Sequence, residues 1–374
     1  MSDAPPPPDQ APGAPHPRDA ARLFGQARAE GDFLAAYGSD RLHHGWLLTG
    51  PEGVGKATLA WRIARFLLAT PPAEEDGLFG APEPPATLDI DPEHPVSRRI
   101  LAGAEPGLTS VTRTVNDKTG RMPDEIVVED IRRLGKFFGL SAADGGRRVV
   151  IVDSADQMNT SAANALLKML EEPPARTTLL LVSHQPSRLL PTIRSRCRIL
   201  RLNPLGPHDM QAALDQAGAD LPADTAHLTA LAAGSVGAAL RLLALDGTRL
   251  YAELIAILAS LPRLDRQRAL ALAEAAAQRN AGERFDLLLM LIDTALARLA
   301  RTGAAGQPPA PEAAPGEAEI LARLSPDPRR GRAWAETAAT ITARARHGQA
   351  VNLDPAALVL DTVFKIQDTA GKSR

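Results

Sequence analysis

The chain has 374 residues, 44% of them hydrophobic, with 42 basic side chains against 44 acidic ones and a net charge of −2. It is long enough for about two or three domains and apolar enough to bury a core, which excludes global disorder, and its balanced charge argues against strong non-specific nucleic-acid binding by the whole chain. A single cysteine, Cys197, excludes an intramolecular disulfide and a multi-cysteine zinc site.

The first residues, "MSDAPPPPDQAPGAPHPRDA", have no apolar run of the secretory kind, and no later run reaches the roughly 18–20 residues a membrane span needs. The expectation is a soluble, cytoplasmic protein. Residues 1–18 read as a disordered Pro-rich tail. A short helix is expected over 26–37, then a buried strand at "GWLLTG" (45–50) closed by glycine. After the loop that follows, Leu59, Ile63, Phe66 and Leu67 fall on one face of a helix. Residues 71–97 are rich in proline and acids and read as an irregular excursion.

Alternation then resumes. "LTSVTRTV" (108–115), "RRVVIVD" (147–153), "TTLLLVS" (177–183) and "CRILRL" (197–202) read as strands. "VEDIRRLGKFFGL" (128–140) and "SAANALLKMLEE" (161–172) read as helices, the second with a Ser start and a Pro-Pro stop. Strands and helices in alternation imply a doubly wound parallel sheet, an α/β fold. From about 203 the pattern changes to short helices ended by glycine, and from 247 to Ala/Leu-rich helices. The expected organisation is a P-loop-like α/β domain over 19–202, a helical lid over 203–246 and an all-α domain over 247–374. A flexible low-complexity loop is expected at 303–319, "GAAGQPPAPEAAPGEAE". Helices such as "FDLLLMLIDTALARLA" (285–300) are apolar on more than one side, as in a bundle or a subunit interface.

The loop "GPEGVGKAT" (50–58) carries the chemistry. Gly50, Gly53 and Gly55 let the backbone form a nest of N–H groups around phosphate oxygens; Lys56 adds a positive charge, and the following helix adds its N-terminal dipole. The Ser or Thr that normally follows the lysine and binds magnesium is Ala57 here. Thr58 lies about 100° further round the helix. Asp153, at the end of "VVIVD", is placed to hold magnesium through water. The next residue, Ser154, is a poor base at neutral pH. The cradle is present while two catalytic parts are absent, so the candidate nucleotide site at Gly50, Gly53, Gly55, Lys56, Thr58 and Asp153 reads as vestigial or weak. ATP or ADP binding without hydrolysis stays open.

"TSAANALLKMLEEPP" (160–174) followed by "RSRCRIL" (194–200) resembles the sliding-clamp loader subunits of bacterial DNA polymerase III, an AAA+ family. The resemblance covers about 20–245. Within it, the departures select the non-hydrolysing delta-prime branch over the ATP-hydrolysing gamma/tau branch. "GSVGAAL" (234–240) adds a third departure, since active members resemble G-S-x-R there and this chain has Gly237; Arg241, one turn on, is the substitute available. Many relatives also resemble a form with a four-cysteine zinc module; 70–107 holds no cysteine and one histidine, His94, so no zinc is expected.

The resemblance implies that Arg196 is an arginine finger acting in trans on a neighbour's ATP site. The bland alternative is a basic surface, since Arg188, Arg194, Arg196, Arg198 and Arg201 occur with no acid among them. Asn164, Lys168 and Glu171 fall near one helix face and carry no catalytic assignment. The family implies gamma/tau and delta subunits as partners in a five-membered ring joined by a helical collar, acting on the sliding clamp and primed DNA in a replisome at the nucleoid, as part of a DNA polymerase holoenzyme. An active AAA+ ATPase using Thr58, or an unrelated P-loop kinase, are the alternatives.

Overall fold

The computed structural model describes residues 10, 14–39, 42–70, 85–115, 123, 125–139, 146–222, 225–276, 282–351 and 353–372. They divide into two compact units, Met1–Ala219 with Gly234–Gly237, and Asp220–Ala233 with Ala238–Arg374.

The first unit contains, in order, α1 (Ala27–Gly38), β1 (Gly45–Thr49), α2 (Lys56–Ala69), α3 (Pro95–Leu101), β2 (Leu108–Val111), α4 (Val128–Gly139), β3 (Arg148–Val152), α5 (Thr160–Glu171), β4 (Thr177–Ser183), α6 (Pro191–Ser195), β5 (Arg198–Arg201) and α7 (Pro207–Gln216). The five strands form one sheet in the order β2-β3-β4-β1-β5, with every pairing parallel. The expected α/β fold is the observed one.

The period of two along each strand divides the core between two faces. Leu47, Val150, Val152, Leu179 and Leu181 pack with Ile131 and Leu134 of α4, Leu166 and Leu170 of α5, and Ile193 of α6. Trp46, the residue before Leu47, points the other way. Its ring lies 5.0 Å from that of Phe33 on α1, and Phe33 meets Phe66 of α2 at 6.5 Å. Trp46, Leu47 and Leu48 are fully buried, and each contributes about 1.5–3 kcal/mol by leaving water.

Three boundaries depart from the sequence reading. The ladder of β2 ends at Val111, where Asp153 N–H donates to its carbonyl at 2.9 Å; β3 offers no strand beyond Val152, so 112–115 has nothing to pair with. Residues 95–101 are helical because Pro95 occupies the first turn, where a missing N–H is harmless. His94 caps α3, its Nδ1 accepting from Val96 N–H at 3.2 Å. The capping residue of α5 is Asn159, not the expected serine. The tail expected to be disordered through residue 18 is packed near its end. His16 is buried, its ring 5.5 Å from Trp61, and Arg65 donates to the Arg18 carbonyl at 2.7 Å. Residues 1–9, 11–13 and 71–84 of the tail and the excursion lie outside the described residues.

The second unit is helical: α8 (Ala226–Ala232), most of α9 (Val236–Ala244), α10 (Gly247–Ser260), α11 (Arg266–Ala276), α12 (Gly282–Ala305), α13 (Glu317–Leu324), α14 (Pro328–Ala350) and α15 (Pro355–Gly371). The stretch 203–246 expected as a lid is therefore shared, with α7 and 234–237 in the first unit and α8 and the rest of α9 in the second. Among the described residues no helix is long and apolar enough to cross a membrane.

The crossing of α12 and α14 depends on glycine. A Cβ on Gly303 would lie 2.5 Å from the Asp327 carbonyl and 2.6 Å from Gly331 N. The loop expected to be flexible at 303–319 is shorter and tethered: α12 runs to Ala305 and α13 starts at Glu317. Arg298 Nη2 donates to the carbonyls of Pro309 (3.2 Å) and Pro311 (2.9 Å). Ala313 N–H donates to Glu317 Oε2 at 2.6 Å. Glu317 is fully buried and also accepts from Arg298 Nε at 2.7 Å, Arg298 Nη2 at 2.8 Å and the Tyr251 hydroxyl at 2.6 Å. A buried carboxylate is tolerated on those terms, paired and fully hydrogen-bonded.

Candidate functional site

The glycine loop leaves the C-terminal end of β1 and enters α2, whose first residue is Lys56. Gly50, Gly53 and Gly55 all have positive φ, at 147°, 75° and 97°, a region that side chains disfavour. At Gly53 the need is also steric. An added Cβ would come within 2.3 Å of Ser235 Oγ and 2.9 Å of Gly237 N. The stretch 234–237 therefore lies directly on the loop. Ser235 Oγ donates to the Glu52 carbonyl at 2.8 Å, and Gly237 N–H donates to the Gly53 carbonyl at 3.1 Å. The position where an arginine was missing is one where the chain needs backbone-to-backbone approach.

Lys56 is buried and turned onto its own loop. Its Nζ donates to the Gly50 carbonyl at 2.7 Å and to the Pro51 carbonyl. Burial pulls its pKa down to about 8, against the attraction of Glu52, Asp153 and Asp156. Asp153 is buried at the end of β3. Ser154, next along, has φ 59° and its Oγ lies 3.3 Å from His184 Nε2. Asp156 accepts from the backbone N–H of His184 (2.9 Å) and Gln185 (3.3 Å), fixing the chain as it leaves β4. Burial, and then the Lys56 charge, hold the His184 imidazole below its ordinary pKa. His184 and Asp156 were not identified from the sequence. Their signal was position, at the carboxyl ends of neighbouring parallel strands, where ligands of such sheets bind.

The donor set suits a phosphate: backbone N–H groups, a helix N-terminus and a lysine. It does not suit magnesium-assisted phosphoryl transfer. Ala57 presents a methyl group where a hydroxyl ligand belongs, and Ser154 presents a hydroxyl, turned to His184, where a carboxylate base belongs. Thr58 is half-buried on α2. Arg241 lies in the second unit and donates to the Glu283 carbonyl at 3.2 Å. Among the described residues no group of three or more His, Cys, Asp or Glu side chains converges as a metal site.

Arg196 is at the other end of the sheet. It caps the C-terminus of α6 just before β5, and Arg198 pairs with Trp46 near the start of β1. The Arg196 carbonyl lies 3.2 Å from where a Cβ would sit on Gly45, the first residue of β1. Four residue steps along β1 lead from that point to Thr49, about 13 Å at strand rise. Arg196 Nη2 is paired with Glu171 Oε1 at 2.9 Å and Nη1 donates to the Thr192 carbonyl at 3.1 Å. Beside it, burial pushes the Cys197 thiol up to about 12, so this cysteine is no nucleophile at neutral pH. Among the remaining arginines, Arg198 lies over the Trp46 ring at 5.6 Å.

Residues 25–206 match the family model described as DNA polymerase III, delta subunit. A DNA polymerase III subunit delta' from Pseudomonas aeruginosa is 42% identical over 154 residues, 41% of this chain and 41% of that protein. Subunit delta' of Escherichia coli is 32% identical over 213 residues, covering 56% and 57% of the two chains. A subunit gamma/tau from Mycobacterium bovis is 29% identical over 205 residues, covering 53% of this chain and 31% of the relative. The matches thus span about half, or less, of the relatives' own lengths. With its parallel sheet and its glycine-and-lysine loop at the end of β1, the first unit is an α/β P-loop-like domain, and over residues 25–206 the chain is similar to the delta-prime subunits of DNA polymerase III.

Proposed function

We propose that this chain is a non-hydrolysing, delta-prime-like stator of the clamp loader. It supplies Arg196 to the ATP site of an adjacent gamma/tau-type subunit. In a five-membered ring with the delta subunit, at the replisome, it helps place the sliding clamp on primed DNA.

The carrying observation is the separation of Arg196 and Lys56 at opposite ends of β1. An arginine about 13 Å down the sheet from its own phosphate loop is badly placed to serve that loop and well placed to serve another chain's. A planar, permanently charged guanidinium stabilises the charge spread over the transferring phosphoryl oxygens, worth about 10³–10⁵ in rate where such fingers have been measured. Ala57, Ser154 and Gly237 support the other half of the reading: any ATP or ADP taken up at this chain's own loop stays uncleaved. The helical unit serves as the collar of the ring.

The second reading is a hydrolysing gamma/tau-like subunit, favoured by the gamma/tau relative. Steady-state ATPase measurement on the purified chain separates the two. The proposal expects turnover no higher than that of a Lys56→Ala variant; turnover matching an active loader subunit would overturn it.

A further inference from the structure

We propose that Glu171 is a positioning residue for Arg196, a carboxylate brace that aims the guanidinium before a neighbouring subunit arrives. This rests on the reading of Arg196 as a finger acting in trans.

Glu171 stands in the last turn of α5, where the helix dipole disfavours a carboxylate. Its placement there is compensated by the ion pair with Arg196 Nη2 at 2.9 Å. The mounting is rigid at both ends. Leu170, next to Glu171, is buried in the core under the sheet, and its carbonyl lies 2.9 Å from His44 Nε2. Arg196 N–H donates to the Ile193 carbonyl at 3.1 Å, and Ile193 is fully buried. A guanidinium offers five N–H donors in a fixed plane. Glu171 takes one from Nη2 and the Thr192 carbonyl takes one from Nη1, which leaves the rest of the fork for phosphoryl oxygens. Two anchors on a plane fix its orientation; one leaves it free to swing. Holding a catalytic group by a supporting layer of hydrogen bonds gives reactive geometry before the partner binds.

The pair is part-exposed, with side-chain exposures of 39% and 44%, so its contribution to positioning is modest. In a loader reconstituted with its gamma/tau-type ATPase, Glu171→Ala lowers kcat for ATP hydrolysis about 2- to 5-fold with KM for ATP unchanged. Glu171→Gln, which keeps an acceptor oxygen, retains more than half the rate. Glu172→Ala, on the adjacent exposed carboxylate, changes nothing. In an Arg196→Ala background Glu171→Ala has no further effect, the signature of a residue acting through another.

If Arg196→Ala itself leaves hydrolysis undiminished, the finger reading falls, and the brace with it. If Arg196→Ala slows hydrolysis while Glu171→Ala does not, only the brace is refuted. A rate increase in Glu171→Ala, or a further loss on top of Arg196→Ala, also refutes it.

Discussion

Replacing Glu317 by Ala removes the acceptor at the centre of the helical unit's buried polar cluster. The carboxylate is fully buried and takes four hydrogen bonds, two from Arg298, one from Tyr251 and one from Ala313 N–H. Without it, Arg298 keeps its charge, with side-chain exposure of only 11%, and retains the Pro309 and Pro311 carbonyls. Breaking a buried pair by removing one partner costs about 3–5 kcal/mol. The orphaned Tyr251 hydroxyl and Ala313 N–H each add about 1–3 kcal/mol. The sum, about 5–11 kcal/mol, is comparable to the whole stability of a domain. The Glu317→Ala chain is therefore expected to lose the helical unit's urea transition, followed by circular dichroism, while amide exchange in β1, β3 and β4 stays protected. Glu317→Gln is expected to fall between the wild type and Glu317→Ala, because its carbonyl can keep Arg298 Nη2 and Ala313 N–H and its NH₂ can donate to the Tyr251 hydroxyl, but that NH₂ also faces the Arg298 Nε donor. A loss below about 1 kcal/mol in Glu317→Ala would refute this account of the cluster.

Three further outcomes are expected. Burial, and then the charge and hydrogen bond of Glu317, raise the Tyr251 phenol well above its ordinary pKa; below about pH 10 both states keep the proton, while above it only the unfolded chain ionises. Stability should thus fall by about 1.4 kcal/mol per pH unit above about pH 10, and Tyr251→Phe should lack that component in urea titrations at several pH values. Lys56 has the opposite sign: its pKa is lowered to about 8, so the unfolded chain binds more protons between there and about 10.5, and stability should rise across that window in the wild type but less in Lys56→Met. Gly53→Ala places a Cβ 2.3 Å from Ser235 Oγ in a left-handed backbone and should destabilise the sheet unit by about 1–3 kcal/mol in a thermal melt. A neutral effect would mean that 234–237 does not press on the loop.

Much of the α/β unit was legible because its signals are local. The alternation of Trp46 and Leu47 across β1, the closing Gly50 and the Lys56 start of α2 all lie within a dozen residues. Errors came where a local signal had two meanings. Pro95 read as a breaker but opens α3, and Thr112–Val115 has strand-like residues but no partner strand past Val152. The tail was misjudged because prolines conceal what His16 does through one ring contact with Trp61. The site was legible in its composition and not in its assembly. Ser235 and Gly237 reach the loop across about 180 residues of sequence, and the pairing of Glu171 with Arg196 joins the ends of two different helices. Sequence spacing placed Glu171 near one face of its own helix with Asn164 and Lys168; its ion-pair partner, Arg196, comes from the end of α6.

The most direct test of catalysis in trans is ATP hydrolysis by the neighbouring gamma/tau-type subunit in an assembly rebuilt with Arg196→Ala. The account predicts that hydrolysis at the site facing this chain slows by about 10³-fold or more while ATP affinity there is retained. An undiminished rate at that site would contradict it.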